Sequence, residues 1–431
     1  MALDREELRR RRQEREEERK RRRAKKRKLI LQLAAAAGIV AVIVLVLLAG
    51  QGGAPQTQQT GPAATDPLPT GSQMEATDPL PTEPQQEPTT VIHVTAAGDL
   101  NITDAVVQSG GGTYDYYQTF WDVSHLLADA DISVVNFEGV LAGTPYGSST
   151  RSAPESMVQA LAEMGVDLIQ LANSYPINRG MLGLSDTIQR VKAAGMEPLG
   201  AYASQAEYSV GKGYTVCQVQ GVKVGFVAFT KGMDGMTLPA GNENCVNLLY
   251  NDYDSTYQSI NRSKIHAVLD ALEKENPDVT IALLHWGSEF NDTISSSQEA
   301  ICSIFRDRGV DAIIGTHSHY VQKMEYDPTT GFFVAWSLGD FVGDANRAGS
   351  EYSVILDLEI TKDNETGTAR ITNYSYTPIF TVAEKGKPLR VVRLEKAMEA
   401  WEAAYINSVS EEVYEAMVYA HERVEARVAG E

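Results

Sequence analysis

The sequence predicts an α/β domain with much parallel strand pairing and an antiparallel addition, set behind one apolar helix and a low-complexity stalk. Three observations carry this prediction. From residue 91 to 316, short apolar runs alternate with helical patterns, as in strand–helix–strand units. Beyond residue 330 the apolar runs follow one another without a helical pattern between them, as antiparallel strands do. Before residue 91 nothing has a core-forming period: a basic head is followed by a charge-free apolar stretch and then a polar tract.

The head, residues 1–28, carries 15 Lys/Arg and 7 Asp/Glu, a local +8. The whole chain is at −19, so the remainder stands at −27, which speaks against a nucleic-acid partner. Residues 29–50, "LILQLAAAAGIVAVIVLVLLAG", hold no charge and one polar residue, Gln32. Their length suits one transmembrane helix. A cleaved signal peptide is the rival reading, but its apolar core is shorter, roughly 7–15 residues, and ends in a small-residue cleavage site. The basic head is expected to remain cytoplasmic, placing the rest outside the plasma membrane as a single-pass protein. Residues 51–90 are rich in Pro, Thr and Gln and repeat "ATDPLPT" at 64–70 and 76–82. With little to bury, this tract is expected to be a disordered linker.

Residues 91–393 read as the folded domain. Strands are expected at "VIHVTAAGDL" (91–100), "DISVVNF" (131–137) and "VDLIQLA" (166–172), with helices near 154–164 and 182–194. "YTVCQVQGVKVGFVAFT" (214–230) reads as a hairpin turning at Gly221. A helix near 260–275, the strand "DVTIALLHW" (278–286), a helix near 296–308 and the strand "VDAIIGT" (310–316) follow. Three further strands are expected at 331–342, 351–360 and 368–380. Residues 394–431 place apolar residues three and four apart, a helical segment that packs on the domain or makes an oligomer contact. The three cysteines, Cys217, Cys245 and Cys302, cannot build a disulfide framework; a Cys217–Cys245 bridge and three separate thiols both fit the count.

The chemistry gathers where the apolar strands end, which is where α/β sheets bind ligands. Strand ends present Asp99 with Asn101, Asn136 with Glu138, Asn173 with Ser174 and Tyr175, His285 with Glu289, and His317 with His319. Only seven histidines occur in the chain, and two of them stand one residue apart. Residues i and i+2 of an extended chain share a face, so His317 and His319, or Asp99 and Asn101, are expected to aim at one point. Imidazole with carboxylate is a donor set for manganese, zinc or iron. Taken singly, each has a plainer role: His285 as a bonded core histidine, Asp99 as a cap, Glu138-Gly139 as a surface turn.

The motifs "GDL", "VVNFEGVL", "LIQLAN", "LLHWGSEF", "IIGTHSHYVQKMEY" and "WSLGDF", in that order, resemble the bacterial capsule-synthesis CapA family, linked to poly-γ-glutamate synthesis and export. The resemblance implies a metallophosphoesterase-type fold, a four-layer α/β/β/α sandwich with a metal site at one edge. It implies Asp99, Glu138, His285, His317 and His319 as ligands of one or two divalent ions, with Tyr175 and Asn173 as candidate catalytic residues at the substrate. The chain departs from the family in its third motif. Where Leu-Ala-Asn-Asn-His is usual, this sequence has Ser174 and Tyr175, with Asn178 replacing an Asp; Thr316 and Ser318 replace a His and a Pro. A phenol ionises only near pH 10, so Tyr175 is a poor substitute for imidazole in proton transfer near neutrality. Three functions follow as expectations. One is a cell-surface factor for synthesis or export of an anionic capsular polymer, working beside other capsule-synthesis membrane proteins. The second is a metal-dependent phosphoesterase or hydrolase, and the third a non-catalytic binding or scaffold protein.

Overall fold

The computed structural model describes residues 88–404 and 409–431. The basic head, the apolar stretch 29–50 and the linker up to residue 87 lie outside the described residues. Among the described residues no helix is long and apolar enough to cross a membrane.

Two mixed sheets form an α/β architecture. The first has eight strands. Its parallel half is β1 (Thr89–Asn101), β2 (Ile132–Glu138), β3 (Leu168–Gln170) and β4 (Glu197–Leu199). On the other side of β1, β12 (Tyr352–Asp363), β13 (Ala369–Val382) and β14 (Arg390–Arg393) continue antiparallel, and β11 (Asp340–Val342) pairs parallel with the end of β1. The second sheet has the order β5 (Tyr214–Val219), β6 (Val222–Thr230), β7 (Val279–His285), β8 (Ala312–Thr316), β10 (Phe333–Ala335) and β9 (Met324–Tyr326).

Side-chain alternation explains why β7 and β8 read as continuous apolar runs. Val279, Ile281 and Leu283 of β7 and Ala312 and Ile314 of β8 join the core shared with the first sheet. Ala282, Leu284 and Ile313 point the other way, into a second cluster with Val268, Leu269 and Leu272 of helix Arg262–Glu273 and Ile301 and Phe305 of helix Ser296–Asp307. Strands covered on both faces have no polar side to alternate with. Each fully buried large side chain of this kind contributes about 1.5–3 kcal/mol. Ser295 and Gln298 form a reciprocal cap at the start of helix Ser296–Asp307. The two sheets are also stitched through the backbone: Asn247 donates its N–H to Gly200 O (2.9 Å) beyond β4, and accepts from Thr230 N (3.0 Å) at the end of β6.

Several expectations are corrected. The apolar run 331–342 is two strands: β10 belongs to the second sheet, while β11 belongs to the first. The chain changes sheets at Ser337–Gly339, where Gly339 has φ 80° and Leu338 N–H bonds Gly315 O at 3.1 Å. Hydropathy is blind to such a transfer because both halves are buried. The first strand begins at Thr89, two residues inside the stretch read as linker. β4, β9 and β14, and the short helices Asp104–Gln108, Tyr117–Phe120, Ser124–Ala128 and Gln205–Gly211, have no sequence counterpart because they are too short to display a period. The hairpin turn is Gln220–Gly221, with φ 51° and 81°, as a two-residue turn of primed type requires. The C-terminal helix Glu411–Ala429 packs on the domain through Met417, Ala420, Val424 and Val428. No disulfide joins the three cysteines.

Candidate metal centre

The C-terminal ends of the parallel strands of both sheets meet at one edge, and there the carboxylates and histidines converge. Glu138, His285 and His317 bring ligand atoms within 4.8 Å of one another, and so do Asp99, Glu138 and His319. All five are buried, Asp99, Glu138 and His285 completely. The five residues expected as ligands thus form two overlapping sets that share Glu138.

Each is placed by its strand. Asp99 follows Gly98, where any Cβ would stand 1.9 Å from Gly339 O, so β1 and β11 approach this closely only with glycine there. The register of that pair puts Asp340 opposite Asp99. Asp99 accepts the Asn136 side-chain amide through Oδ1 and the His317 backbone N–H through Oδ2 (2.9 Å). His285 ends β7, with Nδ1 2.9 Å from Thr316 Oγ1 of the neighbouring strand and Nε2 3.0 Å from Ser174 Oγ and 3.1 Å from His317 Nδ1. His319 holds Asp340 through Nδ1 at 2.7 Å and stacks on Phe290 at 5.0 Å.

The expectation that His317 and His319 converge by extended alternation is corrected. They have φ 92° and 58°, so a left-handed turn carries them into different ligand sets, with ring centroids 6.3 Å apart. Such dihedrals are rare outside glycine and concentrate at functional sites. Asn101 is not hydrogen-bonded to the cluster around Asp99 among the described residues. Its Oδ1 instead accepts from Arg151 Nη1 at 2.8 Å.

Electrostatics follow from burying so many charges together. Burial and the neighbouring Glu138 raise Asp99. Burial opposes ionisation of Glu138, yet His285, His319 and Arg151 hold it down to about 2. Burial also opposes a charged His319, but Asp340, Glu138 and Asp99 together raise the ring well above the usual histidine range. Asp340 itself is pushed up to about 7 by burial, with His319 pulling back. His317 is held well below the usual range by burial and by the charges of His285, Lys231 and His319.

Both carboxylate oxygens of Glu138 are buried and accept no hydrogen bond; the nearest ring nitrogen, His285 Nε2, stands 3.4 Å from Oε1. An ionised carboxylate without donors, among three imidazoles, is what a divalent cation would complete. The residues present therefore fit the metal that the resemblance implies.

The two residues expected at the substrate differ in placement. Asn173 is fully buried, its amide donating to Phe137 O (2.7 Å) and Asn136 Oδ1 (3.1 Å) and its Oδ1 accepting from Tyr175 N (3.0 Å), so it braces the strand ends. Tyr175 lies against Arg151, whose Nη2 donates to the phenol oxygen at 3.0 Å. Burial and then Glu138 push the phenol up to about 12. Sequence reasoning missed Asp340 and Arg151, and named Asn136 beside Glu138 without giving it a role. The repeated Gly-Asp at 98–99 and 339–340 was a usable signal for Asp340, and Asn136 shares a strand face with Glu138. Arg151, in a loop, had none.

The family description "Bacterial capsule synthesis protein PGA_cap" matches residues 93–345. The chain is 28% identical to the capsule biosynthesis protein CapA of Bacillus anthracis over 244 residues, 56% of each chain. It is 27% identical to the PGA biosynthesis protein CapA of Bacillus subtilis (strain 168), over 50% of this chain and 52% of that one. The chain thus spans about half the length of these relatives. Among solved structures it is similar to the calcineurin-like phosphoesterase YfkN of Bacillus subtilis, with TM-score 0.42 and 16% identity over 78% of this chain and 98% of that one. The match to the family extends over more than half of the sequence and contains every residue of the buried cluster, so this chain belongs to the bacterial capsule synthesis protein PGA_cap family.

Proposed function

We propose that this protein serves the synthesis or export of an anionic capsular polymer of the poly-γ-glutamate kind, through a divalent-metal centre built on Glu138. The observation that carries the reading is the pair of orphaned Glu138 oxygens, shared by two ligand sets. The two sheets with helices on the outer face of the second support a four-layer metallophosphoesterase-type sandwich. The same basic head, apolar 29–50 and acidic remainder support a single-pass anchor with the domain outside the plasma membrane, beside other capsule-synthesis membrane proteins.

Bound manganese, zinc or iron would supply Lewis acidity at a phosphoester or an amide-linked substrate. Asp99, Glu138, His285, His317 and His319 would hold it, with Asp340 fixing the His319 ring and Thr316 fixing that of His285. Tyr175, its phenol pushed up to about 12 and so protonated in the neutral range, would donate a hydrogen bond to substrate rather than remove a proton. Asn136 and Asn173 tie the ends of β1, β2 and β3 together behind the ligands.

A second reading, a scaffold without catalysis, draws on Ser174: its hydroxyl lies 3.0 Å from His285 and 3.5 Å from His317, where the family carries an amide. Elemental analysis of the full chain, followed by a phosphoester assay and polymer yield in cells carrying Glu138→Gln, separates the two. Metal that is lost in the variant together with polymer supports the centre. A metal-free wild type, with polymer yield untouched by the variant, leaves the scaffold.

A further inference from the structure

Arg151 has no carboxylate within ion-pair distance among the described residues, although the chain carries 57 acidic residues against 38 basic ones. It stands at the metal cluster because its loop is locked there. Arg151 adopts φ 49°, and its carbonyl accepts Val140 N–H at 2.7 Å. Gly139 makes that closure feasible, since a Cβ there would stand 2.7 Å from Arg151 O and 2.5 Å from Ile102 Cγ1. The guanidinium is then fixed by Asn101 Oδ1 (2.8 Å), Ile102 O (3.3 Å) and the Tyr175 phenol (3.0 Å), and its carbon lies 4.2 Å from the Tyr175 ring centroid.

The partnering of Tyr175 is one-sided. Its oxygen accepts from Arg151, while its own O–H proton has no acceptor among the described residues, on a side chain only 9% exposed. From the second sheet comes another cation with no carboxylate in ion-pair distance among the described residues: Lys231, after β6, donates to Gly287 O at 2.7 Å and lies 4.6 Å from the Tyr257 ring centroid. Cations held by neutral groups in an acidic protein keep their charge available to a ligand.

We propose that Arg151 and Tyr175 form an oxyanion-recognition element beside the metal centre, with Lys231 adding a second positive charge from the other sheet. The element takes a phosphoryl or carboxylate oxygen: the Arg151 fork neutralises it and the Tyr175 O–H donates to it. The inference rests on the metal reading, naming the charge class of its substrate, and it accounts for a tyrosine at 175, since an imidazole there would lack the arginine-bonded hydroxyl.

The test titrates the full chain with inorganic phosphate and, separately, with γ-linked triglutamate, by calorimetry, with and without Mn(II). Metal content is measured in parallel and stays at the wild-type level in all variants. Arg151→Met weakens binding of at least one probe tenfold or more, and Tyr175→Phe weakens the same probe severalfold, as expected for loss of charge-assisted and neutral hydrogen bonds. Arg151→Lys falls between wild type and Arg151→Met, because an ammonium keeps the charge without the fork. A response confined to phosphate assigns a phosphoryl ligand; one confined to triglutamate assigns a carboxylate. Equal affinity of wild type, Arg151→Met and Tyr175→Phe in both metal conditions overturns the element, as does a wild type that binds neither probe. A wild type that holds no Mn(II) sinks the metal reading instead, and the metal-free titration then decides the element by the same differences.

Discussion

Glu138 belongs to both ligand sets, whereas His317 and His319 belong to one each. Substituting these three residues therefore yields a graded pattern. With Mn(II) at about 100 times its dissociation constant, each occupied site adds about 2.7 kcal/mol to stability. Two sites add about 5.4 kcal/mol, a rise in melting temperature of roughly 8 °C at about 1.4 °C per kcal/mol for a domain of this size. His317→Ala and His319→Ala should each retain about half of the metal and half of that rise. Glu138→Gln, which replaces the shared carboxylate with a neutral amide, should lose both. The measurements are metal per chain by elemental analysis and melting temperature with Mn(II) against chelator. A Glu138→Gln protein that keeps one equivalent, or His317→Ala and His319→Ala proteins that both lose everything, would refute the two overlapping sets. The charge argument points the same way: both Glu138 oxygens are buried without a hydrogen-bond donor, a place a cation would fill.

Asn136→Ala removes the amide that joins Asp99 to Asn173 and leaves buried partners unpaired, so chemical denaturation should show a loss of about 1–3 kcal/mol. His93, bonded to Asp357 at 2.8 Å, is raised by that bond against an opposing burial effect. A raised folded value means its contribution is complete below the unfolded pKa, about 6.5, and fades as pH climbs through the folded value. His93→Gln should therefore lower the melting temperature more at pH 5.5 than at pH 8.5; an equal loss at both would show that the ring acts only as a neutral donor. Gly139→Ala should push the Arg151 loop away from Ile102 while sparing the metal-centre side chains, so metal content holds and affinity drops for whichever of phosphate and triglutamate the wild type binds; unchanged affinity would show that the loop can yield.

The residues of the candidate centre were legible in the sequence because each ends, or closely follows, a buried strand whose apolar run announces itself, and parallel strands bring those ends to one edge. Asp340 was hidden by its own surroundings. The run containing it is apolar on both sides of the sheet switch, so Trp336 to Phe341 looked like the inside of one strand. Arg151 was hidden for the opposite reason. Its loop has no period, and its place depends on a left-handed residue closing against Gly139, a contact that exists only once the strands have paired. Asn101 misled because a shared strand face does not decide a side chain's partner: its oxygen is taken by Arg151, a loop residue.

His317 and His319 sharpen the case for a centre selected for binding. Non-glycine residues held in the left-handed region cost of order 1–3 kcal/mol each. Here two occur within three positions, and both rings are turned inward. Packing alone gives no reason for this, since an extended chain would bury apolar side chains at the same strand end without strain. What the turn achieves is separation. It sends His317 toward His285 and Ser174, and His319 toward Asp340, with Glu138 between the two sets. A scaffold that had only inherited its shape could relax the turn, for example by glycine at either position, and gain stability. Two strained, oppositely directed imidazoles around one carboxylate without donors support a site whose strain a bound cation would offset.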